Sequence, residues 1–522
     1  INPEGKFDHV EGRIAATGVY GYRVTLDRVG GHIFYDGNNF VATDAAASIG
    51  TNYAHGSYEH DLTTQDFRFL LQGQLRPPDI GGWFADWWPK FWRNFDFPST
   101  APDASVDVQG IWRQGYKTSV FVYADSTDPV IKGVRLDHAQ TLIYLRPHYY
   151  DAMTLTATLD AGSAKGSFIR QLNPEDKSLQ RMDFDFESSL ALEAAAGLVG
   201  AEMEEIVAPF AFSSPPQLHV TGHIAKPGNN PYRQIEIQGN SFDSFTFDGF
   251  PLSDLSFRAV MIDDELNVTP LGVGFAGGNT SGQIQIRGPD GQKRLGFDLG
   301  LKHGNLHKVT DILSQYFAAK RGEPKPDSSS YIKQTNNVFM DLDVSAEGDL
   351  DDPLSFLGSG NAEVSGPGLG EIRLLGLLSE LLNFTALRFN DLRTSFKVDK
   401  DLLHFSEVSI TGSNSAVAAH GRYSLDKNTL NFNARIFPFQ ESKFILKSLV
   451  GAMLTPLSNV LEVKLTGQLD NPKWSFLIGP TNFLRNLSQP VDDIPPINIK
   501  TDASTLKNTL SDPVSTVEHP AE

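Results

Sequence analysis

The sequence predicts a mainly β protein: an elongated, repetitive antiparallel sheet that curls into a groove and carries one helix in each repeat unit. Three observations predict it. Apolar and polar residues alternate along much of the chain, an apolar anchor and a later glycine recur at a nearly constant spacing, and a helical pattern follows each glycine. Stacked units of this kind form extended surfaces, which points away from a compact enzyme.

The alternation with period two is the main strand signal. Because successive strand residues point to opposite faces, a segment such as Met182 to Phe186 has one apolar face. We expect the apolar residues of this inward phase to line the groove and contact lipid. They are Val120, Val122, Met182, Phe184, Phe186, Ile235, Ile237, Phe245, Phe247, Leu295, Phe297, Leu299, Met340, Leu342, Val344 and Phe432.

The repeat is defined by an apolar anchor and a glycine. Three pairs are separated by 30 residues and the fourth by 32. Such internal self-similarity is typical of repeat architectures. The pairs are Leu26 and Gly56, Leu136 and Gly166, Leu252 and Gly282, and Phe389 and Gly421.

A helix is predicted after each glycine, at 82–95, 190–206, 305–320 and 442–460. The last unit has an additional amphipathic stretch at 372–382. The order of anchor, glycine and helix divides the chain into units 1–100 (with an aromatic-rich helix), 101–216, 217–337 and 338–480. Residues 481–522 are rich in Pro, Asp and Ser and are predicted to form an extended or disordered tail.

Composition narrows the function classes. The net charge of −19 disfavours nucleic acid as a partner, since phosphate binding needs clustered Lys and Arg. Cysteine is absent, which excludes disulfides, thiolate metal sites and cysteine nucleophiles. No apolar run is long enough to span a bilayer. Because the chain begins at Ile1 rather than at Met, we expect an upstream segment that could anchor the protein to a membrane.

No catalytic motif stands out. The sequence has no Gly-x-Ser-x-Gly motif, P-loop or dinucleotide fingerprint. His219 and His223 lie in a strand pattern, where residues four apart are too distant to share a metal. We therefore expect no enzyme activity, no cofactor and no metal site.

The C-terminal part of the chain carries a family resemblance. In 339–480, a Ser-Gly-Pro-Gly turn at 365–368 precedes the Leu-rich stretch at 374–378. Strand segments follow at 396–399, 403–405, 408–412 and 419–425, and Gly-Gln-Leu-Asp-Asn-Pro closes the unit at 467–472. The order of these elements resembles the C-terminal domain of the AsmA family of bacterial envelope proteins, whose larger members are related to bridge-like lipid transfer proteins.

The resemblance implies a β-groove with an apolar inner face in the periplasm or cell envelope, anchored in the inner membrane. It implies lipids as partners, and inner- and outer-membrane proteins as further partners. The predicted function is non-enzymatic binding and conduction of lipid or another amphiphile, or maintenance of the envelope. Two alternatives stay open: an envelope assembly protein with a filled core, and a glycan-binding β-repeat protein. Alternation alone fits both an open groove and a packed core.

An aromatic cluster near residue 90 is the most unusual local feature. Four of the six tryptophans fall within ten residues, and three of them, Trp87, Trp88 and Trp92, follow helical spacing on one face together with Phe84, Phe91 and Phe95. Tryptophan favours the boundary between lipid and water, so these residues are membrane-interface candidates. The alternative is a helix that docks its aromatic face onto the sheet. The four residues are Trp83, Trp87, Trp88 and Trp92.

Overall fold

The protein, represented by a computed structural model, forms one long antiparallel sheet of 27 strands that does not close on itself. A separate sheet has three short strands. The structure describes residues 8–21, 23–83, 92–226, 232–289, 291–320, 322, 337–367, 369, 389–413, 415–438, 461–468 and 471–477. The mainly β, repetitive class predicted from alternation is thereby confirmed.

The strands of the N-terminal half are β1 (Val10–Gly21), β2 (Val24–Tyr35), β3 (Asn39–Ile49), β4 (Asn52–Asp61), β5 (Asp66–Gly73), β6 (Phe95–Asp96), β7 (Asp103–Ile111), β8 (Gln114–Thr127), β9 (Val130–Ile131), β10 (Val134–Arg135), β11 (His138–Arg146), β12 (Tyr149–Leu159), β13 (Gly162–Leu172), β14 (Leu179–Ser188) and β15 (Phe210–Phe212).

The strands of the C-terminal half are β16 (Gln217–Ala225), β17 (Tyr232–Ser241), β18 (Phe245–Phe247), β19 (Phe250–Ile262), β20 (Glu265–Phe275), β21 (Gly278–Arg287), β22 (Arg294–Asn305), β23 (Phe339–Asp349), β24 (Leu357–Ser365), β25 (Phe389–Asp399), β26 (Leu402–Gly412), β27 (Ser415–Ser424), β28 (Thr429–Pro438), β29 (Leu461–Gln468) and β30 (Asn471–Phe476). The helices are α1 (Leu192–Val199), α2 (Ala201–Val207) and α3 (Leu306–Lys320), and a 3₁₀ turn covers Gly81–Trp83.

The main sheet is a meander in which each long strand pairs antiparallel with the next. The sheet continues without interruption across the predicted unit boundaries, through the pairs β5–β7, β14–β16 and β22–β23. The short strands β15 and β18 extend it beside β19, and β6, β9 and β10 form the separate sheet.

The connections divide the sheet into two margins, because successive connections of a meander alternate between opposite strand ends. The margin that includes the connections after β5, β8, β14, β17 and β22 contains all three described helices and the short strands, and we call it the helix margin. The connections at the opposite margin, such as 112–113 after β7 and 147–148 after β11, are short; we call it the turn margin.

The repeated glycines have a structural meaning. Each lies two strands beyond the strand that contains its anchor or, for Leu136, that directly follows the anchor, and a register shift occurs in the intervening strand beside the glycine. A β-bulge bends a strand and increases its twist. A Cβ on any of these glycines would overlap the neighbouring strand, so only glycine permits this close approach. The four are Gly56, Gly166, Gly282 and Gly421.

Two of the predicted helices coincide with observed ones. The helix predicted at 305–320 is α3. The helix predicted at 190–206 is divided into α1 and α2 at Gly200, whose φ of 140° interrupts the helical backbone. The first predicted helix, 82–95, lies mostly outside the described residues, and its last residue, Phe95, belongs to strand β6. The helices predicted at 372–382 and 442–460 and the tail lie outside the described residues.

The buried core lies along the helix margin. Its largest described cluster includes Phe389, Ile410, Ile436 and Val463 at the ends of strands β25 to β29. A second cluster joins Val309 of α3 to the sheet, and a third surrounds Ala54. These described clusters therefore lie near the strand ends and not at the strand centres.

Candidate functional site

The cross-strand register places the alternating apolar residues on one face of the sheet. Residues paired across strands point to the same side, so each row can be followed from strand to strand. The first row runs from β4 to β22 and consists of Gly56, Leu71, Val106, Val122, Ile143, Ala152, Phe168, Phe184, Gly222, Ile235, Met261, Leu266, Ile286 and Leu295.

Two further rows continue the same face toward the C-terminus; the three rows together are the apolar face. The second row is Leu155, Gly166, Phe186, Val220, Ile237, Ala259, Val268, Ile284, Phe297, Ala346, Gly358, Val398, Leu403, Tyr423 and Leu430. The third is Leu271, Gly282, Leu299, Val344, Gly360, Phe396, Phe405, Gly421, Phe432, Leu465 and Trp474.

Nearly all residues predicted to line the groove share this side of the sheet. Val120, Met182, Met340 and Leu342 lie beside the three rows, in the same alternation phase of their strands. The two exceptions are Phe245 and Phe247, which lie in the short strand β18. They pack against Phe212 and Phe210 of β15, at centroid distances of 4.9 and 4.8 Å.

The apolar face is only partly shielded from solvent. Of the predicted lining residues in the main sheet, Val120 is buried and the others are half-buried. A core residue such as Phe389 is 1% exposed by comparison. Helix α3 packs on this side near the helix margin, where Val309 forms a buried cluster with Leu301 and Met340 packs against that cluster. Side chains of neighbouring strands contact each other along the rows; the ring centroids of Phe405 and Phe432, for example, are 5.4 Å apart.

Phenylalanine rings occupy the space above glycines of neighbouring strands. A Cβ on Gly222 would overlap the ring of Phe184, and one on Gly360 would overlap the ring of Phe396. The same relation holds for Gly166 with Phe186, Gly239 with Phe257 and Gly421 with Phe432. The rings therefore lie over these glycines and close to the backbone of the sheet, so the apolar face is continuous there.

The opposite face carries ion pairs across the strands, and we call it the ion-paired face. Arg258 donates two hydrogen bonds to Glu236 at 2.7 and 2.8 Å, and Arg68 contacts Asp107 at 2.8 Å. His219 contacts Asp185 at 2.8 Å. These pairs are partly exposed, so each stabilises the sheet only weakly, but together they mark a hydrated surface.

Two carboxylates on the ion-paired face, those of Glu236 and Glu347, have lowered pKa values. Hydrogen bonds from Arg258 and then from Gln238 lower the pKa of Glu236 to about 2. Partial burial raises the pKa of Glu347, but hydrogen bonds from Arg287 and Arg294 outweigh it and hold this pKa below its usual value. Both groups are therefore ionised at neutral pH.

The predicted tryptophan cluster is only partly described. Trp92 is half-buried and packs edge-on against Phe95 at 5.1 Å and beside Phe97 at 6.1 Å. It also contacts the cluster around Ala54. Trp83 ends the 3₁₀ turn; its side chain, and Trp87 and Trp88 entirely, lie outside the described residues.

No metal centre is assembled within the described part of the chain, where no three His, Asp or Glu side chains come together. His219 and His223 contact different carboxylates, those of Asp185 and Asp183. None of the described helices is long and apolar enough to cross a membrane.

Several residues of the apolar face were not among those predicted from the sequence. Ile284 and Ile286 lie in the alternating segment Gln283 to Arg287, so their signal was present in the sequence. Ile143 and Phe168 lie in strands without clean alternation, and β-bulges in β12 shift the phase there. Only the observed pairing assigns these two residues to the face.

Comparisons with family models and curated proteins do not assign the chain to a family. A scan against protein-family models finds no match, and no curated protein matches the chain.

Proposed function

We propose that this protein binds lipid or another amphiphile along its apolar face and conducts it through the bacterial cell envelope. The observation that supports this most strongly is the continuity of the apolar rows. The first row alone crosses from β4 to β22, and the side chains in it remain largely half-buried. An acyl chain needs such a continuous surface without unpaired polar groups.

The dimensions suit conduction rather than the holding of one molecule. Neighbouring strands lie about 4.8 Å apart, so a sheet of this many strands measures roughly 120 Å from the first long strand to the last. This exceeds the thickness of a bilayer, which is about 40 Å. Each methylene transferred from water to the apolar face gains up to about 0.8 kcal/mol.

The proposed shape is a groove with the apolar face inside. The β-bulges beside Gly56, Gly166, Gly282 and Gly421 recur at equivalent positions and would bend every unit in the same direction. The described helices at the helix margin, α1, α2 and α3, would form one rim, and the packing of α3 beside Leu301 supports this. The hydrated ion-paired face would then be the outside.

The envelope location and the membership in the AsmA family are part of the same proposal. They are supported by the order of motifs in 339–480 and by the same sequence order of apolar anchor, glycine and helical pattern in the preceding units. Inner- and outer-membrane proteins are the proposed partners.

The test is a pair of charges placed in the proposed path. Phe184→Glu combined with Phe297→Glu places two carboxylates on the apolar face, in the first and second rows. The matched control, Gln234→Glu combined with Asn279→Glu, adds the same charge to the opposite face, across from His223 and Lys302. Lipid transfer between vesicles and native mass spectrometry of co-purified lipid are the assays.

We expect the first double variant to lose transfer and bound lipid while it keeps the thermal midpoint of the control. Unfolding of the first variant alone would contradict an open face and favour a filled core, as in an envelope assembly protein. Unchanged transfer with an intact fold would contradict conduction along these rows.

A further inference from the structure

A cavity lies on the ion-paired face at the turn margin, away from the apolar rows. It has a volume of about 670 Å³ and is lined by the tips of three neighbouring hairpins, β7–β8, β11–β12 and β13–β14. We call it the notch. Its lining includes the side chains of Lys117, Tyr144, Arg146, Tyr149, Gln171 and Gln180.

Two adjacent strands, β8 and β11, separate at one side of the notch. The pairing of β8 with β11 ends at Val120 and Leu145. Strand β8 nevertheless begins at Gln114, and β11 stays paired with β12 as far as Arg146 and Tyr149. The two hairpin tips therefore project beyond their shared ladder and leave a polar gap between them.

Two cations line this gap without a carboxylate partner. The Arg146 guanidinium lies 4.6 Å from the centroid of the Tyr149 ring, and the Lys117 ammonium lies 5.8 Å from that of Tyr116. Among the described residues, neither forms an ion pair, although Arg258 and Arg393 elsewhere on the sheet do. In a chain with a net charge of −19, two such cations in one cavity favour an anionic ligand.

The other side chains that line the notch suit a ligand that has hydroxyl groups and apolar surfaces in addition to negative charge. The rings of Tyr144 and Tyr149 lie 6.3 Å apart at 63°. The hydroxyl of Tyr149 donates to Asp151 at 3.3 Å, and burial and then that carboxylate raise the pKa of Tyr149, so the hydroxyl stays protonated. Gln171 and Gln180 supply amide donors and acceptors for hydroxyl groups.

We infer that the notch binds an anionic saccharide, that is, a sugar that carries a phosphate or a carboxylate. The planar fork of Arg146 suits bidentate contact with either anion, and Lys117 adds a mobile second charge. The tyrosine rings offer flat apolar surfaces for the C–H face of a sugar ring, and the glutamine amides suit its hydroxyls. The site lies on the opposite face from the apolar rows, so it does not depend on the proposed lipid function.

The experiment compares four probes by calorimetry on the full chain: glucose 6-phosphate, glucuronate, glucose and inorganic phosphate. We expect the two charged sugars to bind at least tenfold more tightly than glucose or phosphate. Equal binding of phosphate and glucose 6-phosphate would overturn the assignment of a saccharide. Binding of phosphatidylglycerol vesicles without binding of either charged sugar would also overturn it.

The variant Arg146→Gln combined with Lys117→Gln is expected to lower the affinity for glucose 6-phosphate at least tenfold. The control is Arg170→Gln, because Arg170 lies in β13 on the opposite face, across from Tyr150 and Met182. Circular dichroism verifies that both variants remain folded. Unchanged affinity in the double variant, or an equal loss in the control, would overturn the proposal.

Discussion

Truncation of Phe184 tests whether the apolar face is open. Its ring lies above Gly222 and 6.4 Å from Phe186, and it is half-buried. A fully buried Phe→Ala change costs about 3 to 5 kcal/mol, because it leaves a cavity. At an open face no enclosed cavity forms and only part of the transfer free energy is lost. We therefore expect Phe184→Ala to lower the free energy of unfolding by about 1 to 1.5 kcal/mol.

The matched control is Phe389→Ala. Phe389 is 1% exposed and belongs to the core cluster at the helix margin, so its truncation should cost about 3 to 5 kcal/mol. Both variants are compared with the unmodified protein by urea unfolding followed by circular dichroism. Because a long repeat array can unfold in steps, each variant is assigned to the transition that it shifts. A cost for Phe184→Ala equal to that for Phe389→Ala would refute the open face.

Three further predictions concern the glycine sites and the ion-paired face. Gly222→Val should destabilise the protein because its side chain overlaps the Phe184 ring, and Phe184→Ala should relieve part of this cost; additive costs in a double-mutant cycle would contradict the contact. Because the pKa of Glu236 is lowered to about 2, its ionised form stabilises the fold above about pH 4.5, and that contribution disappears as the pH falls toward 2. The stability difference between the protein and Glu236→Gln should therefore shrink over this range in thermal melts, and a constant difference would argue against it. Arg393→Ala removes an exposed pair with Glu363 and should cost less than about 1 kcal/mol in urea unfolding; a larger loss would show that the ion-paired face contributes more than hydration.

The sequence predicted the sheet and its faces where alternation is strong. Phe184, Ile235 and Phe297 were assigned correctly to one face because period two is enforced wherever one side of a strand avoids water. The spacing from Leu26 to Gly56 also predicted a feature that recurs in the structure, because a β-bulge lies beside each of the four spaced glycines.

Other features depend on tertiary pairing that a single sequence does not reveal. Phe245 and Phe247 alternate like groove residues but pair with β15, since the chain turns back at the helix margin. At the notch, β8 extends beyond its ladder with β11, and nothing in the spacing of Lys117 and Arg146 predicts that they share a cavity. Helix α1 ends before Gly200, a break that the apolar periodicity of 190–206 concealed.

Site-specific photocrosslinking directly tests whether lipid is conducted along the apolar face. A photoreactive phenylalanine analogue replaces Phe184, Phe297 or Phe405 on the apolar face, or Gln234 or Asn279 on the ion-paired face, and the protein is irradiated in a bacterial envelope or with lipid vesicles. If lipid moves along the apolar face, lipid adducts are expected by mass spectrometry at all three apolar positions and at neither control position. Adducts at equal yield on both faces, or none on the apolar face, would contradict conduction of lipid along these rows.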